Sequence, residues 1–225
     1  MANKVLNTKD LSDFIQERDE NEYPTNFPHR DLWGKDDAIL KWISVVREFK
    51  KIKTKKKLKV VDLGAGDGCT PHIIASLGHD VTAIDIANIS HFCTNSLVKM
   101  ILNDALLEIK EMEDDTVDVF IDVCAVTHFN TSPGENYGNL GWKNVADQVF
   151  RVLKPKGKFI ISSDVNILND EGEYIKPQKL IEIVESSGLK LCGEYEVESE
   201  ETDFNINYSN HTLQVASFCF EKPKS

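Results

Sequence analysis

The sequence predicts a doubly wound α/β fold: a sheet of about seven strands, mostly parallel, with an antiparallel hairpin at its C-terminal edge. Three observations predict it. Apolar, β-branched runs alternate with helix-length segments from residue 58 to residue 163, and strands joined by such crossovers pair in parallel. The run Val60-Val61-Asp62-Leu63 breaks into glycines at alternate positions, Gly64, Gly66 and Gly68, and a strand that leaves through such a turn commonly holds a nucleotide-like ligand. The last two β-rich runs, 189–197 and 212–221, have no helix-length segment between them, so they pair antiparallel.

The elements follow in chain order. Residues 9–20 make a short amphipathic helix with Leu11, Phe14 and Ile15 on one face. Residues 22–34 contain Pro24 and Pro28 and read as irregular, yet carry Tyr23, Phe27, His29, Arg30 and Trp33. Residues 35–50 are a helix, because Ile39, Ile43 and Val46 recur at helical spacing beside Trp42. The lysine-rich stretch 50–59 is a solvated connector whose charge suits the carbonyl end of that helix. Residues 58–63 are the first strand. Thr70-Pro71 opens a helix ending near Gly78, since proline is tolerated in a first turn. Residues 80–85 are the second strand, with a short helix expected at 89–95; 96–102 are the third, followed by a short helix over 105–112. Residues 116–124 are the fourth strand, and 125–130 open a polar loop with Gly134, Gly138 and Gly141. Residues 142–153 are a helix, Lys154-Pro155-Lys156-Gly157 a turn and 158–163 the fifth strand. Residues 177–187 form a helix stopped by Gly188, ahead of the two final strands.

Composition sets the outer bounds. A chain of 225 residues suits one domain with a small appendage, and 41% hydrophobic residues suffice for a core. No apolar run approaches the ~20 residues of a membrane span, and residues 1–6 lack the apolar core of a signal peptide. The five cysteines include no CxxC pair, which points to a reduced, cytoplasmic protein with neither a disulfide framework nor a metal site. A net charge of −11 argues against broad nucleic-acid binding, which needs cations against phosphates.

The glycine turn decides among ligands. A dinucleotide fingerprint is G-x-G-x-x-G, but its third place here holds Cys69, and the third glycine is Gly68. No Gly-Lys-Ser/Thr follows, so the turn is not a P-loop. Asp62 and Asp67 would repel a pyrophosphate and suit a cationic ligand, ribose hydroxyls or amino groups. Val60-Val61-Asp62-Leu63-Gly64-Ala65-Gly66-Asp67-Gly68 resembles the first motif of class I S-adenosylmethionine-dependent methyltransferases, and the resemblance runs in order over residues 58–163. In it, Asp85 matches the acid that binds the ribose hydroxyls, and Asn103-Asp104-Ala105 matches the motif whose acid contacts the adenine amine. Residues 118–124 match the strand beside the methyl donor, and 149–158 the helix, turn and strand typical of the family. The resemblance implies a Rossmann-like domain over 58–225, preceded by an N-terminal helical arm and lid over 1–57. It implies S-adenosylmethionine as donor and S-adenosylhomocysteine as product. The implied cofactor residues are Asp62, Gly64, Ala65, Gly66, Gly68, Asp85, Ile86, Asp104, Ala105 and Asp122. Asp62, Asp85 and Asp104 also have a plain reading, as caps of loop or helix amides.

Methyl transfer from a sulfonium is an in-line displacement, so the protein's main task is alignment and exclusion of water. A base is needed only where the acceptor must lose a proton. His128, just past the fourth strand, is the candidate, with an ordinary pKa of ~6.5 suited to that work; it reads equally as a structural histidine bonded to loop backbone. Many small-molecule enzymes of the family have Glu-His there; Thr127-His128 lacks that carboxylate, so no metal is placed at it. Tyr23, His29, Arg30 and Trp33 are the candidate lid and acceptor contacts, and His211, the connection 198–211 and the loop 164–176 are candidate walls. The fourth strand ends Ile121-Asp122-Val123-Cys124, without the Asn/Asp-Pro-Pro-Tyr/Phe signature of DNA amino-methylating enzymes. The expected acceptor is therefore a small metabolite with a hydroxyl or amine, a sugar or sugar-linked intermediate included. Two other readings stand beside it: a catalytically silent S-adenosylmethionine-binding regulatory or partner subunit, and a nicotinamide oxidoreductase. A homo-oligomer is left open.

Overall fold

Strands buried on both faces read as continuous apolar runs, and the centre of this sheet is built from such runs. The computed structural model describes residues 3–20, 35–66, 68–86, 97–129, 137–168, 174–200, 202–208 and 211–224. Five mutually parallel strands form its middle: β2 (Lys59–Leu63), β3 (Asp80–Asp85), β4 (Val98–Leu102), β5 (Val117–Val123) and β6 (Leu153–Val165). A long β9 (His211–Glu221) runs antiparallel to β6, from Lys158 opposite Glu221 to Val165 opposite Gln214. Three short segments share the other edge of β9. They are β7 (Lys190–Leu191) near its end, β1 (Lys4–Val5) at its middle and β8 (Ile206–Tyr208) at its start, all antiparallel to it. The order across the sheet is β1-β9-β6-β5-β2-β3-β4, with β7 and β8 also on β9.

The described chain thus has nine strands where about seven are predicted. The additional β1 and β8 are two and three residues long, too short to leave a period in the sequence. The predicted strand over 189–197 is only Lys190–Leu191, because the chain turns away through Gly193 at φ +87°. The predicted turn at 154–157 and strand at 158 merge into β6. Val117 pairs with Leu153 and Val119 with Lys158, so the residues between loop out as a bulge around Pro155, which has no N–H, and Lys156 at φ +68°. The short helix expected at 89–95 lies outside the described residues.

Helices cover both faces. α4 (Ala105–Glu111), α5 (Tyr137–Val152) and α6 (Pro177–Glu185) set Leu106, Ile109, Trp142, Val149, Leu180 and Val184 against one face. α1 (Thr8–Glu20), α2 (Asp36–Lys50) and α3 (Cys69–Ser76) set Phe14, Ile39, Ile43, Phe49 and Ile74 against the other. The chain steps outward from β2 to β3 and β4, then returns to β5 on the other side of β2. That reversal leaves a crevice at the carboxyl ends of β2 and β5, where open α/β sheets bind ligands.

Candidate active site

A cavity of about 650 Å3 opens at this crevice, lined by Gly64 and Gly66 after β2, Asp85 and Ile86 after β3, and Asp104 and Ala105 after β4. Val123, Cys124, Ala125, His128 and Phe129 close it from β5 and the short 3-10 turn Val126–His128. Each wall has a local cause. Gly64 takes φ +64°, and a Cβ there would stand 2.3 Å from that of Ala125, so only glycine lets the two strand exits approach this closely. Gly66, at φ +56°, has nothing within 4 Å of where a Cβ would point, and its bare N–H donates to Asp85 Oδ2 at 2.8 Å. Ala65 is buried against Ala83, and Gly68 precedes α3, its N–H on Ala65 O. Neither lines the cavity.

Asp104 does what its plain reading requires and also faces the cavity. Its Oδ1 caps α4 by accepting the N–H groups of Leu106 and Leu107 at 2.8 and 3.1 Å, which leaves Oδ2 outside the cap. Asp62 and Asp122 lie beneath the cavity and do not line it. Asp122 Oδ1 accepts the amides of Ala125 and Val126, both at 3.0 Å, and so shapes the turn that presents His128. Asp62 is wholly buried, and among the described residues neither of its carboxylate oxygens has a hydrogen-bond partner. Burial, then the charges of Asp122 and Asp85, push its pKa well above the usual carboxylate range.

A second cavity, of about 590 Å3, shares Val123, Cys124 and His128 with the first and adds Asp37, Ala38, Lys41, Asp164, Tyr174, Ile206 and Leu213. Its polar centre is an ion cluster. Lys41 Nζ lies 2.8 Å from Asp164 Oδ1 and 3.3 Å from Asp37 Oδ2, and the Cys124 thiol donates to Asp164 Oδ2 at 3.1 Å. Burial works against the Lys41 ammonium, but the Asp164 and Asp37 carboxylates outweigh it and raise the pKa. Burial first, then the Asp164 charge, push the Cys124 thiol up to about 12, so it remains a thiol. Cys124 also holds φ +59°, strained for a residue with a side chain, at the junction of the two cavities. The exposed His128 packs edge-on to buried Tyr174, ring centroids 6.4 Å apart.

The structure therefore brings Gly64, Gly66, Asp85, Ile86, Asp104, Ala105 and His128 to one place. Tyr23, His29, Arg30 and Trp33 lie outside the described residues. His211 is described only by its backbone, opposite Tyr208 at the start of β9, while Ile206 from the same connection reaches the second cavity. The loop 164–176, a candidate wall in the sequence, supplies Tyr174 to the second cavity, next to Asp164 at the end of β6, whereas Asp37, Lys41 and Cys124 are not singled out by the sequence reading. Two signals mark them: an i, i+4 ion pair on a polar stripe that continues through Ser44 and Glu48, and a polar residue at the carboxyl end of a strand.

Residues 61–161 match the family model described as "Methyltransferase domain". That stretch runs from β2 into β6 and has the sequence pattern of a methyltransferase domain. Solved methyltransferases share its fold. The 1,6-didemethyltoxoflavin-N1-methyltransferase of Burkholderia thailandensis, solved with 1,6-didemethyltoxoflavin and S-adenosylhomocysteine, superposes with a TM-score of 0.58 at 15% identity, over 100% of this chain and 94% of that one. A TehB-like S-adenosylmethionine-dependent methyltransferase from Corynebacterium glutamicum gives 0.55 at 16% identity, over 94% and 98%. The phosphoethanolamine N-methyltransferase 2 of Haemonchus contortus gives 0.59 at 14% identity, over 81% of this chain but 53% of that one. No curated protein matches.

The methyltransferase site fits its cofactor on its own terms. Gly66 gives an open backbone approach, and the carboxylates of Asp85 and Asp104 on the cavity wall would suit ribose hydroxyls and an adenine amine. S-adenosylmethionine supplies an electrophilic methyl carbon on a cationic sulfur. Among the described residues no group of three or more His, Cys, Asp and Glu could hold a metal ion, and no helix is long and apolar enough to cross a membrane.

Proposed function

We propose that this methyltransferase methylates a hydroxyl or amine of a small polar metabolite held in the second cavity. The observation that carries the reading is the common wall: Val123, Cys124 and His128 belong to both cavities, so a donor in one and an acceptor in the other would meet beside His128. Holding the two in line supplies most of the acceleration. His128 takes the proton the acceptor nucleophile gives up, its ring steadied by the edge contact with Tyr174. Asp37, Lys41 and Asp164 bind the acceptor's polar groups, while Ala38, Ile206 and Leu213 supply apolar contact. The two carboxylates against one ammonium make this lining net negative, which favours an amine-bearing acceptor, an amino sugar or sugar-linked amine included. Two of the similar structures are named as N-methyltransferases, in keeping with that choice. In this reading Tyr23, His29, Arg30 and Trp33 cover the acceptor, since their segment leads into the helix turn that supplies Asp37. The reading also takes the protein to be cytoplasmic and the site to be served by a diffusing metabolite.

The test is methyl transfer from labelled donor into fractionated metabolite extracts, followed by kinetics of His128→Ala. The expected loss is about 10²–10⁴ in kcat, with the affinity for S-adenosylhomocysteine within about twofold of wild type. Tight donor binding without transfer to any fraction would replace the proposal with a non-catalytic binding subunit. An unchanged kcat would remove His128 from the chemistry.

A further inference from the structure

At the end of the sheet opposite the active site, a second reactive cluster stands apart from methyl transfer. Lys190 pairs with Glu221 and Leu191 with Phe220, so the same register puts Cys192 directly opposite Cys219. The Cys192 N–H donates to Cys219 O at 2.8 Å, one of the two bonds of a directly opposed pair; the other is replaced by the Asn3 side chain, which takes the Cys219 N–H and the Cys192 O. A complete pair lies about 5.5 Å apart at Cα, and a disulfide spans ~4.4–6.8 Å, so this half-bonded pair is close to bridging range. Both sulfurs are free and half-buried, and each shifts the other's pKa. Lys158 Nζ lies 3.2 Å from Cys192 Sγ and 2.7 Å from Glu221 Oε2. Glu48 of α2 and Lys51 just past its end also act on the cluster, through Lys158 and Cys219 respectively.

We propose that Cys192 and Cys219 are a peroxide-oxidisable dithiol that closes to an intrachain disulfide. The two sulfurs have unequal roles. The Cys219 thiol and the Lys158 ammonium outweigh burial and hold Cys192 below the usual thiol range, while Cys219 is held above it. Cys192 is therefore the attacking thiolate. It attacks one oxygen of hydrogen peroxide: an S–O bond forms, the O–O bond breaks, and the departing hydroxide takes a proton to become water. The Cys219 sulfur then displaces hydroxide from the Cys192 sulfenic acid, and the Cys219 proton leaves with it as a second water. Two thiols and one peroxide give one disulfide and two waters. The product ties β7 to β9 across the ladder.

The experiment uses the full chain, reduced, freed of reductant and treated with hydrogen peroxide, then mapped by mass spectrometry after alkylation. The expected result is one crosslinked peptide pair containing Cys192 and Cys219, lighter by two hydrogens and reversed by dithiothreitol. Lys158→Met is expected to slow its formation at pH 7 by at least about fivefold. Cys219→Ser is expected to stop at a Cys192 sulfenic acid that dimedone traps. The proposal is overturned if Cys192 and Cys219 still alkylate as free thiols while Cys69, Cys93 or Cys124 oxidise. It is overturned equally if the crosslink forms at the same rate in Lys158→Met. The wild-type map decides the matter even where a variant fails to fold.

Discussion

Asp62 and Asp122 stand on neighbouring strands one position out of register, Asp62 opposite Ile121 and Asp122 opposite Leu63, and both are wholly buried. Burial raises the Asp122 pKa to about 7, although the amides of Val126 and Ala125 pull it down. A folded-state pKa above the unfolded value of 3.8 means that the native chain binds the proton more tightly. The stability this gives is full below pH ~4 and is lost as the pH climbs towards ~7, an effect on the order of 4 kcal/mol. Asp122→Asn keeps an oxygen for the two amides and removes the charge. Its melting temperature should exceed that of wild type at pH 8, with the gap closing by pH 4; parallel curves would show that Asp122 does not titrate in this window. Asp85 lies on the cavity wall itself, where a charge-assisted bond contributes about 1.5–3 kcal/mol. Asp85→Ala should weaken S-adenosylhomocysteine binding about 10–100-fold by calorimetry, and an unchanged Kd would take Asp85 out of the donor site.

Among the elements, α2 does most to join core and site. Its apolar face buries Ile39, Ile43, Val46 and Phe49, while its first turns aim Asp37 and Lys41 at the second cavity. Lys41 keeps only 12% of its side-chain surface exposed, so removing the cation would strand the equally buried Asp164 carboxylate. Lys41→Met should cost about 3 kcal/mol in urea unfolding, and adding Asp164→Asn should recover more than half of it. Additive losses would mean that the pair does not couple. The same helix shows what the sequence discloses at this scale. The period of Ile39, Ile43 and Val46 reveals the element to within a residue, and the glycines after Leu63 reveal the cofactor turn, because both signals are local. The wall of the second cavity is not local. Lys41, Cys124, Asp164 and Ile206 lie on four segments, and only the register of β5, β6 and β9 brings them together. The same limit hid β1 and β8, whose pairing depends wholly on the partner strand.

Across the whole molecule, β9 joins the two ends of the chain, and Asn3 is the clasp. Its Nδ2 donates to Cys192 O at 2.9 Å and to Glu194 O at 3.3 Å, and its Oδ1 accepts the Cys219 N–H at 2.8 Å. One buried amide thus fills a gap in the ladder between β7 and β1, where β9 would otherwise present unpaired backbone. Farther along, Leu6 N–H donates to Val215 O at 2.7 Å, and Thr202 Oγ1 donates to Leu6 O at 2.8 Å. The N-terminal residues are therefore built into the sheet, at an edge far from the crevice between β2 and β5. Asn3→Ala would leave three backbone groups without their partner, at a cost of about 2–3 kcal/mol. Hydrogen exchange should quicken at the Cys219 and Leu6 amides first, since the outer edge opens before the parallel centre. Donor affinity should stay within about twofold, because β2, β3 and β5 keep their register without β1. A Kd that rises in step with the lost stability would instead mean that the edge and the crevice unfold as one unit, and would make β9 part of the binding machinery.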